Sequence, residues 1–256
     1  MLLTIDVGNT NIAMGLVKDD KVIGTYRLTT KTPRTSDEYG IYLNNFLQNN
    51  HCTPEEIEDV MISSVVPNIN YSLSSCIIKY ISKTPVFVDA FMPCGLDFQV
   101  DNPAEIGADL VVDMAAAYAL YGTSCIVIDF GTATTYSYIT REGVFAGVTI
   151  SPGVRATAAA LTGNAAMLPE VELRKPKKVL GKNTVACIQA GVMYGYIGQV
   201  EYIVKAIKDE MNDPECRVVA TGGMGRTIAA QTSCIDEYDP DIAYKGMNVI
   251  YHLNKA

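Results

Sequence analysis

The sequence predicts an α/β protein made of two halves that repeat one plan. Three observations carry this reading. An apolar run over residues 2–6 ends in Asp6 and a second over 125–129 ends in Asp129, each acid being followed by one apolar residue and a glycine. Each run leads into a meander of apolar and β-branched stretches, 11–18 and 21–28 in one half, 136–139 and 144–150 in the other. Stretches with apolar residues at helical spacing flank both meanders. The repeat places the boundary at residue 120, giving an N-terminal domain over 1–120 and a C-terminal domain over 121–256.

In chain order, residues 2–6 form a strand that enters a tight turn at Gly8. Residues 11–18 and 21–28 form a hairpin around Asp19-Asp20. Residues 35–50 place Tyr39, Tyr42, Leu43, Phe46 and Leu47 at helical spacing, with Thr35 or Ser36 as the N-cap. A buried strand over 59–66, a helix over 71–82 and a strand over 85–88 follow. The second half opens with a small-residue-rich helix over 106–121, then the strand 125–129 and its meander, which turns at Arg141-Glu142-Gly143. An Ala-rich helix from 155, a long helix over 184–211, a strand over 218–221 running into Gly222-Gly223, and a last helix from 244 complete the chain.

Of the 256 residues 48% are hydrophobic and 19% charged, which excludes disordered and fibrous classes. Lys and Arg number 20 against 28 Asp and Glu, a net charge of −8, and no basic run is present. Nucleic acid is therefore not expected as a partner, and bound phosphate would have to be held by backbone N–H groups and metal. The seven cysteines, Cys52, Cys76, Cys94, Cys125, Cys187, Cys216 and Cys234, form no CxxC pair and read as buried reduced thiols. The first apolar run meets Asp6 too soon for a signal peptide or a membrane span, so a cytoplasmic protein without membrane contact is expected. His51 and His252 read as surface residues. Tyr194, Tyr196 and Tyr202 read as core or dimer packing, and Lys175, Lys177 and Lys178 as a solvated loop.

The chemistry concentrates in Asp6-Val7-Gly8-Asn9-Thr10-Asn11 and Asp129-Phe130-Gly131-Thr132-Ala133-Thr134-Thr135. Each sets a carboxylate at a strand end, then a glycine that lets backbone approach a ligand, then hydroxyl or amide groups suited to phosphate oxygens. One Asp-x-Gly alone equally starts an ordinary hairpin turn, whereas two copies opening matching meanders favour a phosphate clamp. Ala220-Thr221-Gly222-Gly223-Met224-Gly225 adds a glycine turn between strand and helix, which fits a nucleotide or a plain connection.

These three segments resemble the phosphate-one, phosphate-two and adenosine motifs of the acetate and sugar kinase, heat-shock chaperone and actin superfamily. More narrowly, the chain resembles the type III pantothenate kinases from end to end. The resemblance extends to Thr35-x-Asp37-Glu38-Tyr39, Ser63-Ser64-Val65-Val66-Pro67, Asn102-Pro103-x-Glu105-x-Gly107-Ala108-Asp109, Pro152-Gly153, Leu168-Pro169, Gly181-Lys182-Asn183-Thr184 and Gly195-Tyr196-x-Gly198-Gln199-Val200-Glu201.

That resemblance implies an actin-like (ribonuclease H-like) duplicated two-domain fold with a nucleotide cleft between the halves. It implies an ATP-dependent kinase acting on the terminal hydroxyl of pantothenate, a homodimer that uses Mg2+ or another divalent metal together with K+ or NH4+. Carried over by position, Asp6, Val7, Gly8, Asn9, Thr10, Asn11, Ile12 and Ala13 form the first ATP loop, with Asp6 holding magnesium through water. Thr132, Gly222 and Gly223 also bind ATP, and Asp129 holds the monovalent cation. Asp109 is the base, while Val100, Gly107, Ala108, Asp109, Leu110 and Thr184 face the acceptor. Without the resemblance, Asp109 reads first as an acid that suits the dipole at a helix start.

The sequence departs from that family pattern on the acceptor side. Leu110 stands where Gly-Ala-Asp is usually followed by Arg, Val100 where a Tyr is common, and Asn164 where many relatives carry Arg. Loss of an arginine fork removes a contact worth about 1.5 to 3 kcal/mol to an anionic acceptor, for which Arg155 is a candidate substitute. A second reading follows: a nucleotide-binding paralogue with another acceptor, or with no kinase activity, acting as a regulator or accessory factor.

Overall fold

A computed structural model describes residues 1–163, 165 and 167–255; Asn164 lies outside the described residues. The chain divides into two compact units, one comprising residues 1–122, 143–145 and 241–256, the other 123–142 and 146–240.

In the first unit β1 (Leu2–Val7), β2 (Asn11–Lys18) and β3 (Lys21–Thr29) form the expected meander. Asp19 and Asp20 both take positive φ, 49° and 60°, the twist that a two-residue hairpin turn demands. Then come α1 (Ser36–Asn49), β4 (Asp59–Ser64), α2 (Pro67–Ile81), β5 (Val86–Phe87), β6 (Asp97–Phe98) and α3 (Ala108–Tyr121). The sheet order is β3-β2-β1-β4-β5, antiparallel through the meander and parallel from β1 to β5. Thr35 caps α1 in a reciprocal box: its Oγ1 accepts from the Glu38 N–H at 3.3 Å and its own N–H donates to the Glu38 carboxylate at 2.7 Å.

Alternation along the strands gives this sheet two different faces. Leu3, Ile5, Val7, Ile12, Met14 and Leu16 bury against α1 and α2 residues such as Leu43, Phe46, Leu73 and Ile77. Leu2, Val17 and Met61 point the other way and pack with α3 and with α7 (Ile242–Lys255), through Val111, Val112, Tyr244 and Met247. Asp6 and Ser63 share that second face, because they pair with each other across β1 and β4.

The second unit repeats the plan. Its strands are β7 (Cys125–Phe130), β8 (Ala133–Ile139), β9 (Val144–Pro152), β10 (Arg217–Thr221) and β11 (Glu237–Tyr238), and its helices α4 (Val154–Gly163), α5 (Thr184–Glu210) and α6 (Gly225–Ala229). The strand order is β11-β10-β7-β8-β9, and the first two residues of β9 are grouped with β6 in the first unit. Ile126, Ile128, Phe130, Val192, Met193 and Tyr196 lie in its core.

Several boundaries differ from expectation. The helix expected over 71–82 begins at Pro67, because proline at N1 gives up an N–H that has no helical partner anyway. The one expected from 106 begins at Ala108, since residues 103–105 form a separate 3-10 turn capped by Asn102. All seven cysteines are free, but only Cys52, Cys76, Cys94, Cys125 and Cys216 are buried; Cys187 is exposed on α5 and Cys234 half-buried. Tyr196 is core, whereas Tyr202 lies on the solvent side of α5, 73% exposed. His51 and His252 are exposed.

Candidate active site

In the first unit the site begins where β1 runs out. Asp6 is its last residue but one, flanked by Ala13 on β2 and Ser63 on β4. The chain then reverses within a tight turn, the Gly8 N–H donating to the Asn11 carbonyl at 3.0 Å. From outside, the Thr30 hydroxyl donates to the Gly8 carbonyl at 2.7 Å. Within the segment 6–13, Val7 and Ile12 are fully buried in the core, so they offer a ligand only their backbone. Asn9 and Asn11 are exposed and Gly8, Thr10 and Ala13 half-buried, which leaves amide side chains and peptide groups around the turn.

Asp109 enters the same neighbourhood from α3. Gly107 caps the helix with extended backbone, Ala108 is buried, and Asp109 and Leu110 are half-buried in the first turn. The Asp109 carboxylate accepts the N–H of Leu110 at 2.9 Å. A Cβ on Gly107 would lie 2.4 Å from Asp109 Oδ1, so glycine at the cap makes room for this carboxylate. Val100 is half-buried in the segment between β6 and the 103–105 turn.

The electrostatics tie the two acids together. Burial, reinforced by the negative charge of Asp109, pushes the Asp6 carboxyl up to about 7, against smaller downward pulls from Ser63 and Arg27. Burial likewise raises Asp109, partly offset by backbone N–H donors, chiefly that of Leu110. The Ser63 hydroxyl is buried and faces the Asp6 carboxyl across the strand pair. Two carboxyls held close together against burial form a site that stabilises cations.

In the second unit Asp129 occupies the matching place, flanked by Thr135 on β8 and Thr221 on β10. Gly222 has φ +82°, and a Cβ there would fall 2.2 Å from Asp129 Oδ1 and 2.7 Å from the Phe130 backbone. The Gly131–Thr132 turn is held from behind: the Gly153 N–H donates to the Thr132 carbonyl at 3.2 Å, and a Cβ on Gly153 would lie 2.6 Å from the Gly131 carbonyl oxygen. Thr132 and Gly223 are exposed, as is Thr184, the first residue of α5. A cavity of about 530 Å³ beside Gly223 is lined by Arg155, Ala158, Glu170 and Met224, which puts Arg155 next to the adenosine-type glycines. Lys175 sits over the Tyr194 ring at 5.0 Å, and Lys177 and Lys178 are exposed.

Residues that sequence reasoning passed over complete the first unit's site. Ser63 was legible only as part of a motif without a role, and Arg27 and Tyr244 carried no local signal. Tyr244 is buried on α7 with its ring against Gly15, whose Cβ would come within 2.8 Å of it, and burial pushes its hydroxyl up to about 12, with the charges of Arg27 and Asp6 acting on it in opposite senses.

Residues 2–206 match the family model described as type III pantothenate kinase. A type III pantothenate kinase from Agathobacter rectalis is 48% identical over 251 residues, covering 98% of this chain and 96% of that protein. Among solved structures, acetate kinase from Porphyromonas gingivalis superposes with a TM-score of 0.54 at 14% identity, covering 99% of both chains. Component A of (R)-2-hydroxyglutaryl-CoA dehydratase from Acidaminococcus fermentans gives 0.57 at 14% identity over 99% of this chain and 98% of that one. These distant likenesses carry the fold, a duplicated actin-like α/β plan, and the close one carries kinship. The chain belongs to the type III pantothenate kinase family.

Proposed function

We propose that this protein transfers the γ-phosphoryl group of ATP to the terminal hydroxyl of pantothenate, forming 4'-phosphopantothenate on the way to coenzyme A. The observation that carries the proposal is Asp109: a carboxylate raised by burial, kept in place by a glycine cap, beside an Asp-x-Gly phosphate turn. Phosphoryl transfer asks a protein for positioning, charge compensation and one group to receive the hydroxyl proton. A carboxylate whose proton affinity burial has raised is suited to that last task.

The remaining roles follow from what each residue offers. Backbone N–H groups of residues 8–11 would receive phosphate oxygens in the first unit, while Thr132, Gly222 and Gly223 would do so in the second. Gly107, Ala108, Leu110 and Val100 would border the acceptor next to Asp109, and the family resemblance assigns Thr184, exposed at the start of α5, to substrate as well. Leu110 gives that border an apolar group where an arginine fork would otherwise meet the acceptor's carboxylate. No observation favours the alternative of a non-catalytic paralogue.

Magnesium keeps several of its waters and takes one or two carboxylates plus substrate phosphates. Among the described residues no cluster of three acidic, His or Cys groups that could hold a metal ion exists, and Asp6 at the phosphate turn, with Asp109 near it, fits such a hydrated ion. Bound there, the metal would neutralise phosphate charge in a chain of net charge −8. Asp129, beside a turn rich in backbone carbonyls, fits a potassium or ammonium ion. A homodimer belongs to the same reading, supported by exposed apolar residues on the second unit, Ile150, Val179 and Leu180. A cytoplasmic location is supported by seven free thiols; among the described residues no helix is long and apolar enough to cross a membrane.

The test is product identification. Purified protein with ATP, magnesium, potassium and pantothenate should yield a phosphomonoester of pantothenate, visible by mass and phosphorus NMR. ADP formed at the same rate without pantothenate, and no phosphorylated acceptor, would contradict the proposal.

A further inference from the structure

The strand register of the first unit brings one more charged residue into line with its phosphate turn. Ser63, Asp6, Ala13 and Arg27 pair in a single row across β4, β1, β2 and β3. Residues directly opposite one another in a sheet project from the same face. Arg27 therefore stands on the face that carries Asp6, with only the small side chain of Ala13 between them. Its positive charge is felt at Asp6 and at the Tyr244 hydroxyl.

This placement depends on a bulge. The hairpin pairs Val17 with Val22 but Leu16 with Gly24, so Ile23 is an extra residue on β3. An unbroken register would set Tyr26 opposite Ala13 and send Arg27 to the opposite, core-facing side. A one-residue shift exchanges the faces of every residue that follows it. With the bulge, Tyr26 packs on the apolar core and stacks with Phe46 at 5.8 Å between ring centroids, while Arg27 stays exposed beside the Asp6 row. No ion pair found among the described residues uses Arg27; its guanidinium reaches the Tyr244 hydroxyl on the Asp6 side and stays exposed, with donors to spare for a ligand.

We propose that Arg27 is a further catalytic residue, its guanidinium meeting the transferring phosphoryl group at the turn after β1; this rests on the kinase reading above. The chemistry of transfer calls for it. Negative charge spreads over three oxygens as the phosphoryl group moves, and Asp6 and Asp109, both on that side of the unit, are anionic when ionised. A planar, permanently charged fork two strands from β1 matches those oxygens in a way that a point charge does not. Strands lie about 4.8 Å apart, so two steps from β1 to β3 leave Arg27 flanking the phosphate turn. Its position beside that turn favours the phosphoryl group over the carboxylate of the acceptor.

The test compares the full-length native protein with Arg27→Ala and Arg27→Lys in ADP release driven by pantothenate, with thermal melting of each. Arg27→Ala should lower kcat by about 10²- to 10³-fold, the scale of a lost transition-state donor. KM for ATP and for pantothenate should stay within about threefold and the melting midpoint within a few degrees, since the side chain is exposed. Millimolar guanidinium should restore part of the lost kcat in Arg27→Ala, and Arg27→Lys should lie between Ala and native. A kcat within threefold of native overturns the assignment, as does a loss confined to KM for pantothenate, which would place Arg27 on the acceptor carboxylate, or a loss that neither guanidinium nor lysine relieves. A native protein with no pantothenate-dependent turnover overturns the kinase reading itself, and the two failures are thereby distinct.

Discussion

A side chain on Gly107 and the carboxylate of Asp109 cannot occupy their present places together, since a Cβ on Gly107 would lie 2.4 Å from Asp109 Oδ1. Glycine is needed there for room and not for backbone freedom, because φ −61° and ψ 142° suit any residue. Gly107→Ala should therefore fold normally and misplace the proposed base, Asp109. A side chain forced off its rotamer costs about 0.5 to 1.5 kcal/mol, and an ångström of misplacement costs on the order of 10²-fold in rate. The expected outcome is a kcat lower by about ten- to a hundredfold with a melting midpoint within a few degrees of native. Unchanged kcat would show that Asp109 does not need its present rotamer.

Gly222 is different, since its φ of +82° and the Asp129 carboxylate both exclude a side chain. Gly222→Ala should cost about 2 kcal/mol or more in stability and displace Asp129. Denaturant titration should show a lower midpoint, and the potassium concentration needed for half-maximal activity should rise.

The raised carboxyl of Asp6 links stability to pH. Between its ordinary value of 3.8 and about 7 the native state binds a proton that the unfolded chain has lost. Stability of the metal-free protein should thus fall as pH rises through that window, by an amount on the order of a few kcal/mol, and be fully regained below it. Melting curves from pH 5 to 8 without metal should show the decline. Asp6→Asn should flatten it and melt above native at pH 8, while losing activity because the carboxylate proposed to hold the metal is gone.

Much of this was legible in the sequence because it rests on local patterns. The strands ending in Asp6 and Asp129, the helix N-cap at Thr35 or Ser36 and the helix starting at Thr184 each follow from a few adjacent residues. What escaped depends on distant partners. β6 and β11 are two residues long and exist only because Asp97 meets Val144 and Glu237 meets Val219 across the chain. The first three residues of β8, Ala133 to Thr135, look like loop, yet Thr134 and Thr135 pair with Phe130 and Asp129. The last helix, α7, belongs with the first unit, and nothing within it says so. Arg27 was hidden by the bulge at Ile23, since hairpin counting from Asp19-Asp20 assigns it to the wrong face. For the site, the glycines announced the turns, but Ser63 and Arg27 became visible only once the register was known, and Tyr244 only once α7 was seen packed on the sheet at Gly15.

The most direct measurement is the pantothenate-dependent release of ADP by native protein and by Asp109→Asn under saturating ATP, magnesium and potassium. Asparagine keeps the size of the side chain and can no longer take a proton, so kcat should fall by about 10²- to 10⁴-fold, with ATP binding retained. Equal turnover of the two proteins would contradict the account.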